Sequence, residues 1–566
     1  MRASNKKDYL RDQLVWDRMI AIVEEQAQTL IRTAFSNTVR EAGDLSAGLF
    51  DLSGRMITQA VTGTPGHVNA MAASVRHFID KYPLAEMEDG DVYITNDPWL
   101  ATGHLHDFTV VTPAFCDNRL AALFASTCHV VDVGGLGFGP NGRQVYEEGI
   151  YLPILPLFRR GVINQTLLEI VRANVREPIL LEGDFYSLAA CNQIGVQRLV
   201  EMMGEFRIAD ISEVSSLIVR RSEEAMLSKI RELPSGVFNY SMVVDGYESE
   251  INLVASMTVG ESGIDIDFTG TSQVSEYGIN VPLPYTQAYA SFGVRCIVGP
   301  EVPNNSGSLA PIRVSAPEGT ILNAPAPCAV AARHAIGQML PDVVLGCLDQ
   351  ACPKLVPAEG TSCLWNFVLY GGHGISGAGF GNSTPFTVTM FHNGGTGSRP
   401  AKDGLSATAF PSGVRNTPVE INESIAPIRI WKKEYRIDSG GAGEYRGGLG
   451  QVMEISSSED APFAFSSMFD RVRNPARGRE GGMSGAAGSV KLSSGQVLPP
   501  KGRTPIPSGE RLILDMPGGG GWGKPEDRKT SMIYEDLRNG LISVDKARSD
   551  YGVSVSEPDL AVRRKR

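Results

Sequence analysis

Hydrophobic positions near the start of the chain recur at the spacing of an amphipathic helix. Between residues 8 and 41, apolar side chains such as Leu10 and Leu14 stand three, four or seven positions apart, which places them on one helical face. From Leu45 onward the chain changes to short apolar runs separated by Gly, Pro and Asp, a pattern of strands and turns. Residues 164–231 return to helical spacing and predict a helical layer that closes this first unit.

The rest of the chain is richer in strand patterns. After the LPSG break at 233–236, the runs FNYSMVVD, INLVASMTV and GIDIDFTG alternate apolar and polar residues, which predicts antiparallel strands. Residues 325–350 predict a helix, and the Gly-rich stretch that follows Ile428 is strand-like. The fold class predicted is α+β (mixed α/β) and multi-domain. We expect an N-terminal α/β domain at 1–235, a central α+β domain at 236–427, a Gly-rich, β-rich cap at 428–525, and a C-terminal helical tail at 526–566.

Composition narrows the function classes. A chain of 566 residues exceeds one compact core, and 62 glycines with 34 prolines favour strands joined by tight turns. The net charge of -11 argues against nucleic acid as the main ligand. The basic C-terminal RRKR is interpreted as a solvated tail, with a subunit contact as the alternative. No apolar leader and no 18-residue apolar run is found. We therefore expect a cytosolic (cytoplasmic) protein without a membrane partner, whose cysteines, lacking any CxxC pair, are reduced thiols.

The strongest local signal is a concentration of histidines. Five of the eight lie within 63 positions, interleaved with acidic residues. His104 and Asp107 precede a predicted strand and converge only if a turn, which Gly103 favours, separates them. His129 ends the next strand-like run, at the same edge of the predicted sheet. Two imidazoles with one or two carboxylates form a common shell for a divalent ion such as Zn, Mn or Fe, with an open position for water.

Other interpretations stay open for these residues. The histidines could instead hydrogen-bond turn backbones, which is the interpretation we favour for His106, and His77 fits the surface of a helix. The further carboxylate of a metal site could be any of several that the sequence alone does not rank: Asp44, Asp51, Asp97 and Asp132. Asp51 and Asp97 also fit simple turn roles, in which the side chain accepts hydrogen bonds from nearby backbone.

Glycine-rich runs do not carry a phosphate-loop signature. MPGGGGWG at 516–523 lacks the Lys-Ser/Thr of such a loop, so a tight crossing of backbones is predicted there. The same interpretation applies to GGLGFGPNG at 134–142 and HNGGTGSRP at 392–400, although Arg399 could hold a carboxylate or phosphate. No GxSxG motif occurs, so nothing indicates a serine nucleophile.

Ordered blocks along nearly the whole chain resemble the hydantoinase B family, which includes N-methylhydantoinase B, 5-oxoprolinase, caprolactamase β and acetone carboxylase α subunits. The blocks include GDLSAGLFDLSGRMITQ, GDVYITNDPWLATGHLHD, HVVDVGG, VPNNSGSLAPIRVSAPEGTILN, AVAARH and MPGGGGWGKPEDR. The resemblance implies a divalent metal, Zn or Mn, held by Asp44, His104, Asp107 and His129 in a metal-binding N-terminal domain. Asp51 is the rival of Asp44, and Val130 stands where relatives often carry a second histidine.

The resemblance also implies a reaction. The partner is a hydantoinase A-type subunit that uses ATP to phosphorylate the carbonyl oxygen of a cyclic amide such as a hydantoin, 5-oxoproline or a lactam. Metal-activated water then opens the ring, with Asp97 or Asp132 moving the proton. The expected protein is thus a hydrolase acting on C–N bonds within a hetero-oligomer. Two alternatives remain: a subunit of an ATP-dependent ketone carboxylase, and a scaffold that completes the partner's active site without catalysing a step.

Overall fold

The first half of the chain forms one large sheet with helices around it. The computed structural model describes residues 2–372, 384–556 and 560–564. The helices of this half are α1 (Arg2–Thr33), α2 (Asn37–Arg40), α3 (Pro65–Lys81), α4 (Val145–Glu148), α5 (Gln165–Asn174), α6 (Pro178–Phe206) and α7 (Ser212–Ile230). The strands are β1 (Leu45–Phe50), β2 (Met56–Gln59), β3 (Val92–Thr95), β4 (Asp107–Cys116), β5 (Arg119–His129), β6 (Leu155–Arg159) and β7 (Val162–Ile163).

This sheet is buried on both faces. Its order is β2-β1-β5-β4-β3-β6-β7, and every neighbouring pair is antiparallel. α6 contacts β4, β5 and α1, whereas α3 contacts β1, β4 and β5. Because helices cover the sheet, β1 and β3 are buried along their whole length, and their sequences are apolar runs rather than alternating ones. The helices predicted for 8–41 and 164–231 are confirmed, with a break after Thr33.

In the second half, the described residues form three four-stranded sheets and a C-terminal hairpin. Its helices are α8 (Leu283–Arg295), α9 (Ser306–Leu309), α10 (His334–Gly337), α11 (Leu340–Ala351), α12 (Val419–Ile425), α13 (Thr530–Arg538) and α14 (Val544–Asp550). Its strands are β8 (Gly236–Val244), β9 (Ile251–Gly260), β10 (Gly263–Asp267), β11 (Ile312–Ser315), β12 (Trp365–Gly371), β13 (Phe386–His392), β14 (Ile428–Tyr435), β15 (Gln451–Ser457), β16 (Phe463–Met468), β17 (Ser489–Leu492), β18 (Lys501–Ile506), β19 (Leu512–Asp515), β20 (Val553–Ser556) and β21 (Ala561–Arg564).

The sheet orders show where strand patterns were informative. β11-β10-β9-β8 form one sheet, and β9 alternates buried and partly exposed residues as predicted. β14-β15-β19-β17 form another. The sheet β13-β12-β16-β18 takes strands from both sides of the boundary predicted at 427/428, because β12 pairs with β16 across almost a hundred residues of sequence. The domain division stays a prediction, and hydrogen bonding does not follow it at this point.

The C-terminal segment is only partly helical. α13 and α14 match the predicted tail, but they are followed by the antiparallel pair β20 and β21. Arg563 and Arg564 of the basic run belong to β21, and Arg564 donates a hydrogen bond to the backbone oxygen of Tyr551 at 2.5 Å. The interpretation of this run as a solvated tail is therefore wrong for Arg564. Lys565 and Arg566 lie outside the described residues.

Glycines let extended segments pack backbone to backbone in the C-terminal half. Across 518–521, a Cβ added to each glycine would stand 1.9–2.2 Å from a backbone oxygen of another segment. Those oxygens belong, in order, to Ser439, Thr396, Arg477 and Ala442. The fourth glycine thus returns to the segment that the first one contacts, the three-residue repeat of a polyproline II helix. The tight backbone crossing predicted for this run is confirmed.

A helix that crosses a bilayer must be long and apolar. Among the described residues, no helix combines the necessary length and apolarity.

Candidate metal centre

Strand pairing brings the predicted histidines and aspartate together. Asp107 is the first residue of β4 and His129 the last of β5, and the register places the two opposite each other. His104 lies in the turn before β4, where Gly103 has a φ of +92°. A Cβ at that position would stand 2.7 Å from the side chain of Arg333, so both the turn and the close packing require glycine.

Three potential ligand atoms form a compact triangle, which we call the His–Asp–His cluster (His104, Asp107, His129). Asp107 Oδ1 lies 2.8 Å from His104 Nε2 and 3.0 Å from His129 Nδ1, and the two ring nitrogens are 3.2 Å apart. An octahedral ion with bonds of about 2.1 Å separates neighbouring ligand atoms by about 3.0 Å, and a tetrahedral ion by about 3.4 Å. Among the described residues, these three are the group whose atoms are placed to hold a metal ion together.

Hydrogen bonding around His104 supports the fit to a cation. His104 Nδ1 lies 2.9 Å from the carbonyl oxygen of Ala331, which can only accept, so this nitrogen carries the proton. Burial, reinforced by Arg333, lowers the pKa of His104 to about 3, which leaves Nε2 unprotonated near neutral pH. Its lone pair then faces a carboxylate oxygen at 2.8 Å. Such a contact is repulsive unless a cation lies between the two atoms.

The second oxygen of Asp107 contacts an arginine and a further histidine. Asp107 Oδ2 is 2.5 Å from Arg333 Nη2 and 2.9 Å from His67 Nε2. Arg333 is itself fixed, because its Nε donates to the backbone oxygen of Thr102 at 2.6 Å and its guanidinium stacks on Tyr285. Burial opposes ionisation of Asp107, but the positive groups around it hold its pKa well below the usual range. The cluster therefore contains a true carboxylate.

His67 is a member of this site that sequence reasoning did not assign. It lies in the first turn of α3, and its Nδ1 is 3.6 Å from Asp44 Oδ1. Burial acts against its charged form, yet Asp107 and Asp44 outweigh burial and raise the pKa of His67. In the sequence, the one indication for His67 was that it belongs to the group of five histidines within 63 positions. Arg333 was likewise missed, although it belongs to the quoted AVAARH block.

Asp44 and Asp51 occupy different environments. Asp44 precedes β1 and lines the same cavity as His104 and His129, although it lies outside the three-residue group. Asp51 is in the β1–β2 turn, where its Oδ1 accepts from the backbone nitrogens of Ser53 and Arg55 at 2.9 Å each. Arg55 Nε also donates to Asp51 Oδ2 at 2.7 Å. The geometry thus favours Asp44 as a further ligand and gives Asp51 the turn role.

Asp97 and Asp132 are not brought to the cavity wall. Asp97 accepts from the backbone nitrogen of Trp99 at 2.9 Å and from the Tyr151 hydroxyl at 2.6 Å, which is the turn role weighed for it. Asp132 forms an ion pair with Arg176 Nη1 at 2.6 Å. Both carboxylates are occupied by partners outside the cluster. Their predicted part in proton transfer therefore has no contact in the structure to support it.

His106 and His77, the other two histidines of the five, differ in burial and in their contacts. His106 is fully buried and stacks on His129, with ring centroids 5.5 Å apart. Neither of its ring nitrogens has a hydrogen-bond partner among the described residues, so the interpretation that it bonds a turn backbone is wrong. His77 lies on α3, half-buried and outside the cavity lining.

The cavity beside the cluster is small and mixed in polarity. Its volume is about 30 Å³, room for roughly two water molecules. Its walls include Thr64, Phe138, Tyr285, His334 and Asn366. The ring of Phe138 packs against the imidazoles of the cluster, with its centroid 4.8 Å from that of His129. A substrate larger than water therefore requires these walls to move.

The buried carboxyl group of Glu148 holds the backbone segment that contacts His104. Glu148 Oε1 accepts from the backbone nitrogens of Val330 and Ala331 at 2.7 and 2.8 Å. The carbonyl of that same Ala331 fixes the orientation of His104. Groups that orient a ligand in this way commonly affect metal affinity.

Comparisons with known proteins agree with this architecture. The family model described as Hydantoinase B/oxoprolinase matches residues 8–525, and the chain belongs to this family. A protein from Pseudomonas sp. strain NS671, named as the candidate B component of a D-/L-hydantoinase, is 28% identical over 582 residues, which cover 98% of this chain and 96% of that protein.

Two solved structures share the fold. The ATP-dependent caprolactamase from Pseudomonas jessenii superimposes with a TM-score of 0.87 at 23% identity, covering 97% of this chain and 96% of that one. Nucleotide-free acetone carboxylase gives a TM-score of 0.84 at 19% identity, covering 99% and 81%. At these identities the likeness concerns the fold alone.

Proposed function

We propose that this chain is the metal-bearing subunit of an ATP-dependent amidohydrolase that opens a cyclic amide, and that Asp44, His104, Asp107 and His129 hold a divalent ion. The observation that carries the proposal is the triangle of ligand atoms in the His–Asp–His cluster, 2.8–3.2 Å on each side. Membership of the Hydantoinase B/oxoprolinase family supports the substrate class.

A partner subunit supplies the ATP chemistry in this proposal. One relative is named as the B component of a hydantoinase and another as the β component of a caprolactamase, which supports a hetero-oligomer with a hydantoinase A-type, ATP-binding partner. This chain's own glycine run at 516–523 lacks a phosphate-loop lysine and instead packs against backbone. Because the reaction consumes ATP, we place the protein in the cytoplasm.

The chain's residues have distinct tasks in the reaction. A divalent ion, Zn or Mn, would supply Lewis acidity that makes water nucleophilic near neutral pH. Asp107 keeps its charge through Arg333 and so attracts the ion, while Ala331 aims His104 Nε2 at it. Arg333 also brings positive charge to the cavity wall, where it would pair with the departing phosphate. The buried walls exclude bulk water from the activated carbonyl.

The reaction balances as a hydrolysis. Attack of one water on the carbon of the phosphorylated carbonyl forms a C–O bond, and cleavage of the ring C–N bond frees the nitrogen and leaves an acyl phosphate. A second water then displaces phosphate from the acyl carbon, so that a carboxylate, an amine and phosphate result. A role for Asp97 or Asp132 in moving the proton stays a prediction. Two variants, His104→Gln and Asp107→Asn, test the proposal by activity and by folding. Each should remove activity without unfolding the chain.

The experiment uses the chain together with its ATP-binding partner. Ring opening of 5-oxoproline, hydantoins and caprolactam is followed by chromatography, and phosphate release is measured in parallel. We expect turnover of a cyclic amide only with ATP, and loss of at least about 100-fold in Asp107→Asn. Incorporation of labelled bicarbonate into a ketone, without ring opening, would instead establish the carboxylase alternative. Full activity in Asp107→Asn would favour a scaffold role.

A further inference from the structure

A second cavity lies one loop away from the metal cavity and is much larger. Its volume is about 540 Å³, within the range of about 300–1,000 Å³ that small-molecule sites occupy. The segment 408–414 separates the two spaces: Thr408, Ala409 and Phe410 face the larger cavity, whereas Ser412 and Val414 line the metal cavity. The larger space is thus distinct from the site described above.

The walls of this cavity are mainly apolar. Side chains and backbone come from the end of α8, from α11 and from three loops, and they include Ile297, Leu345, Leu355, Leu405 and Phe410. Apolar walls of this extent favour a hydrocarbon chain or ring, because its transfer from water is favourable in proportion to the area covered.

One cationic side chain on the wall has unused hydrogen-bonding capacity. Arg399 Nη2 donates to the backbone oxygen of Asp403 at 2.9 Å. Its Nε is buried and has no hydrogen-bond partner among the residues that the structure describes. The guanidinium therefore keeps donors that no described side chain satisfies, on a residue that lines the cavity. Among the described residues, the Arg399 side chain donates to the backbone oxygen of Asp403 rather than to a carboxylate.

The acidic residue on the wall does not neutralise Arg399. Asp342 Oδ2 accepts from the Ser362 hydroxyl at 2.5 Å and from Arg471 Nη2 at 3.2 Å. Its charge is therefore matched by Arg471, which is fully buried beside it. Arg399 remains the charged group available to a ligand.

We propose that this cavity binds a small organic carboxylate, with its hydrocarbon part against the apolar walls and its carboxylate on Arg399. A guanidinium pairs well with a carboxylate through parallel hydrogen bonds. An alkyl amine of the same size would place a positive charge beside the guanidinium and should bind more weakly. Ring opening of a cyclic amide yields a carboxylate on a carbon chain, so a product of that reaction belongs to this ligand class. The link between the ligand and this product rests on the proposed function.

Hexanoate is a suitable probe, titrated calorimetrically into the full chain without ATP, beside hexylamine and 1-hexanol. We expect hexanoate to bind at one site per chain and hexylamine at least about tenfold more weakly. Arg399→Met, which keeps an unbranched side chain and removes the charge, should weaken hexanoate binding at least about tenfold. Ala409→Phe, at another residue that lines the cavity, should abolish binding by filling the space.

Two control variants locate the effect. Arg429→Met removes an exposed arginine of β14 that stacks on Trp431 and should bind hexanoate as the wild type does. Asp107→Asn should also bind it normally, which separates this site from the metal centre and from the fate of the proposed function. Circular dichroism and the thermal midpoint check that each variant folds. The proposal is overturned if the wild type does not bind hexanoate or binds hexylamine equally well. It is also overturned if Arg399→Met and Ala409→Phe bind hexanoate as tightly as the wild type.

Discussion

Replacing Glu148 by glutamine should change how stability depends on pH. Glu148 is fully buried, and burial raises its pKa from 4.5 to about 8 against the opposing effect of two backbone donors. Its Oε2 has no partner among the described residues. The folded protein therefore holds this carboxyl in its protonated form at neutral pH, whereas the unfolded chain ionises it above pH 4.5.

The sign and size of the effect follow from linkage. Because the pKa is raised in the folded state, the stabilising contribution of the protonated group is complete below pH 4.5 and is lost as the pH rises toward 8. The interval between 4.5 and 8, at about 1.36 kcal/mol per pH unit, corresponds to about 5 kcal/mol as an upper value. Glu148→Gln keeps the acceptor at Oε1 and removes the titration, so the variant should gain on the wild type throughout this interval.

Urea unfolding at pH 4.5, 5.5, 6.5, 7.5 and 8.5 measures this difference. We expect the two proteins to be nearly equal at pH 4.5 and to diverge by several kcal/mol by pH 8, with the variant more stable. Glu147→Gln is the matched control, since the neighbouring side chain is exposed, and it should follow the wild type at every pH. A constant difference between wild type and Glu148→Gln across the whole range would refute the reasoning.

Three further predictions concern separate parts of the molecule. Gly519→Ala should lower the thermal midpoint strongly, because its Cβ would meet the Thr396 backbone oxygen at 1.9 Å. The control Gly260→Ala, which has open space around the added Cβ, should leave the midpoint unchanged. Equal midpoints for the two variants would contradict the backbone packing. Arg471→Met should cost about 3–5 kcal/mol in urea unfolding, because it removes the ion-pair partner of the buried Asp342 carboxylate and leaves Glu359 with Arg477 alone. A cost as small as that of exposed Arg511→Met would oppose this. Asp44→Asn should weaken divalent-ion binding in calorimetry while Asp51→Asn leaves it unchanged, and the reverse ranking would make Asp51 the ligand.

The sequence was informative where chemistry follows local pattern. His104 and His129 flank two adjacent strands, so the ends of those strands predicted their proximity to Asp107, and the register of β4 and β5 places them together. The glycine run at 516–523 predicted backbone contact because only glycine tolerates it. Helical spacing located α1 and α5–α7 for the same local reason.

Long-range packing accounts for what the sequence did not predict. Arg333 contacts Asp107 across 226 positions of sequence, and His67 reaches the cluster because α3 packs on the sheet. Neither contact leaves a local pattern. Asp97 and Asp132 have the residue type for proton transfer, but Tyr151 and Arg176 occupy them. The pairing of β12 with β16 likewise depends on tertiary structure rather than on the spacing of either strand.

Binding of a divalent ion by the purified chain tests the central claim most directly. Mn²⁺ and Zn²⁺ are titrated calorimetrically into metal-stripped protein, with elemental analysis of the dialysed product. We expect one ion per chain for the wild type and for His77→Ala, whose imidazole lies outside the cavity. Binding should weaken at least about 100-fold in His104→Ala and His129→Ala. An ion bound equally well by those two variants, or none bound by the wild type, would contradict the account.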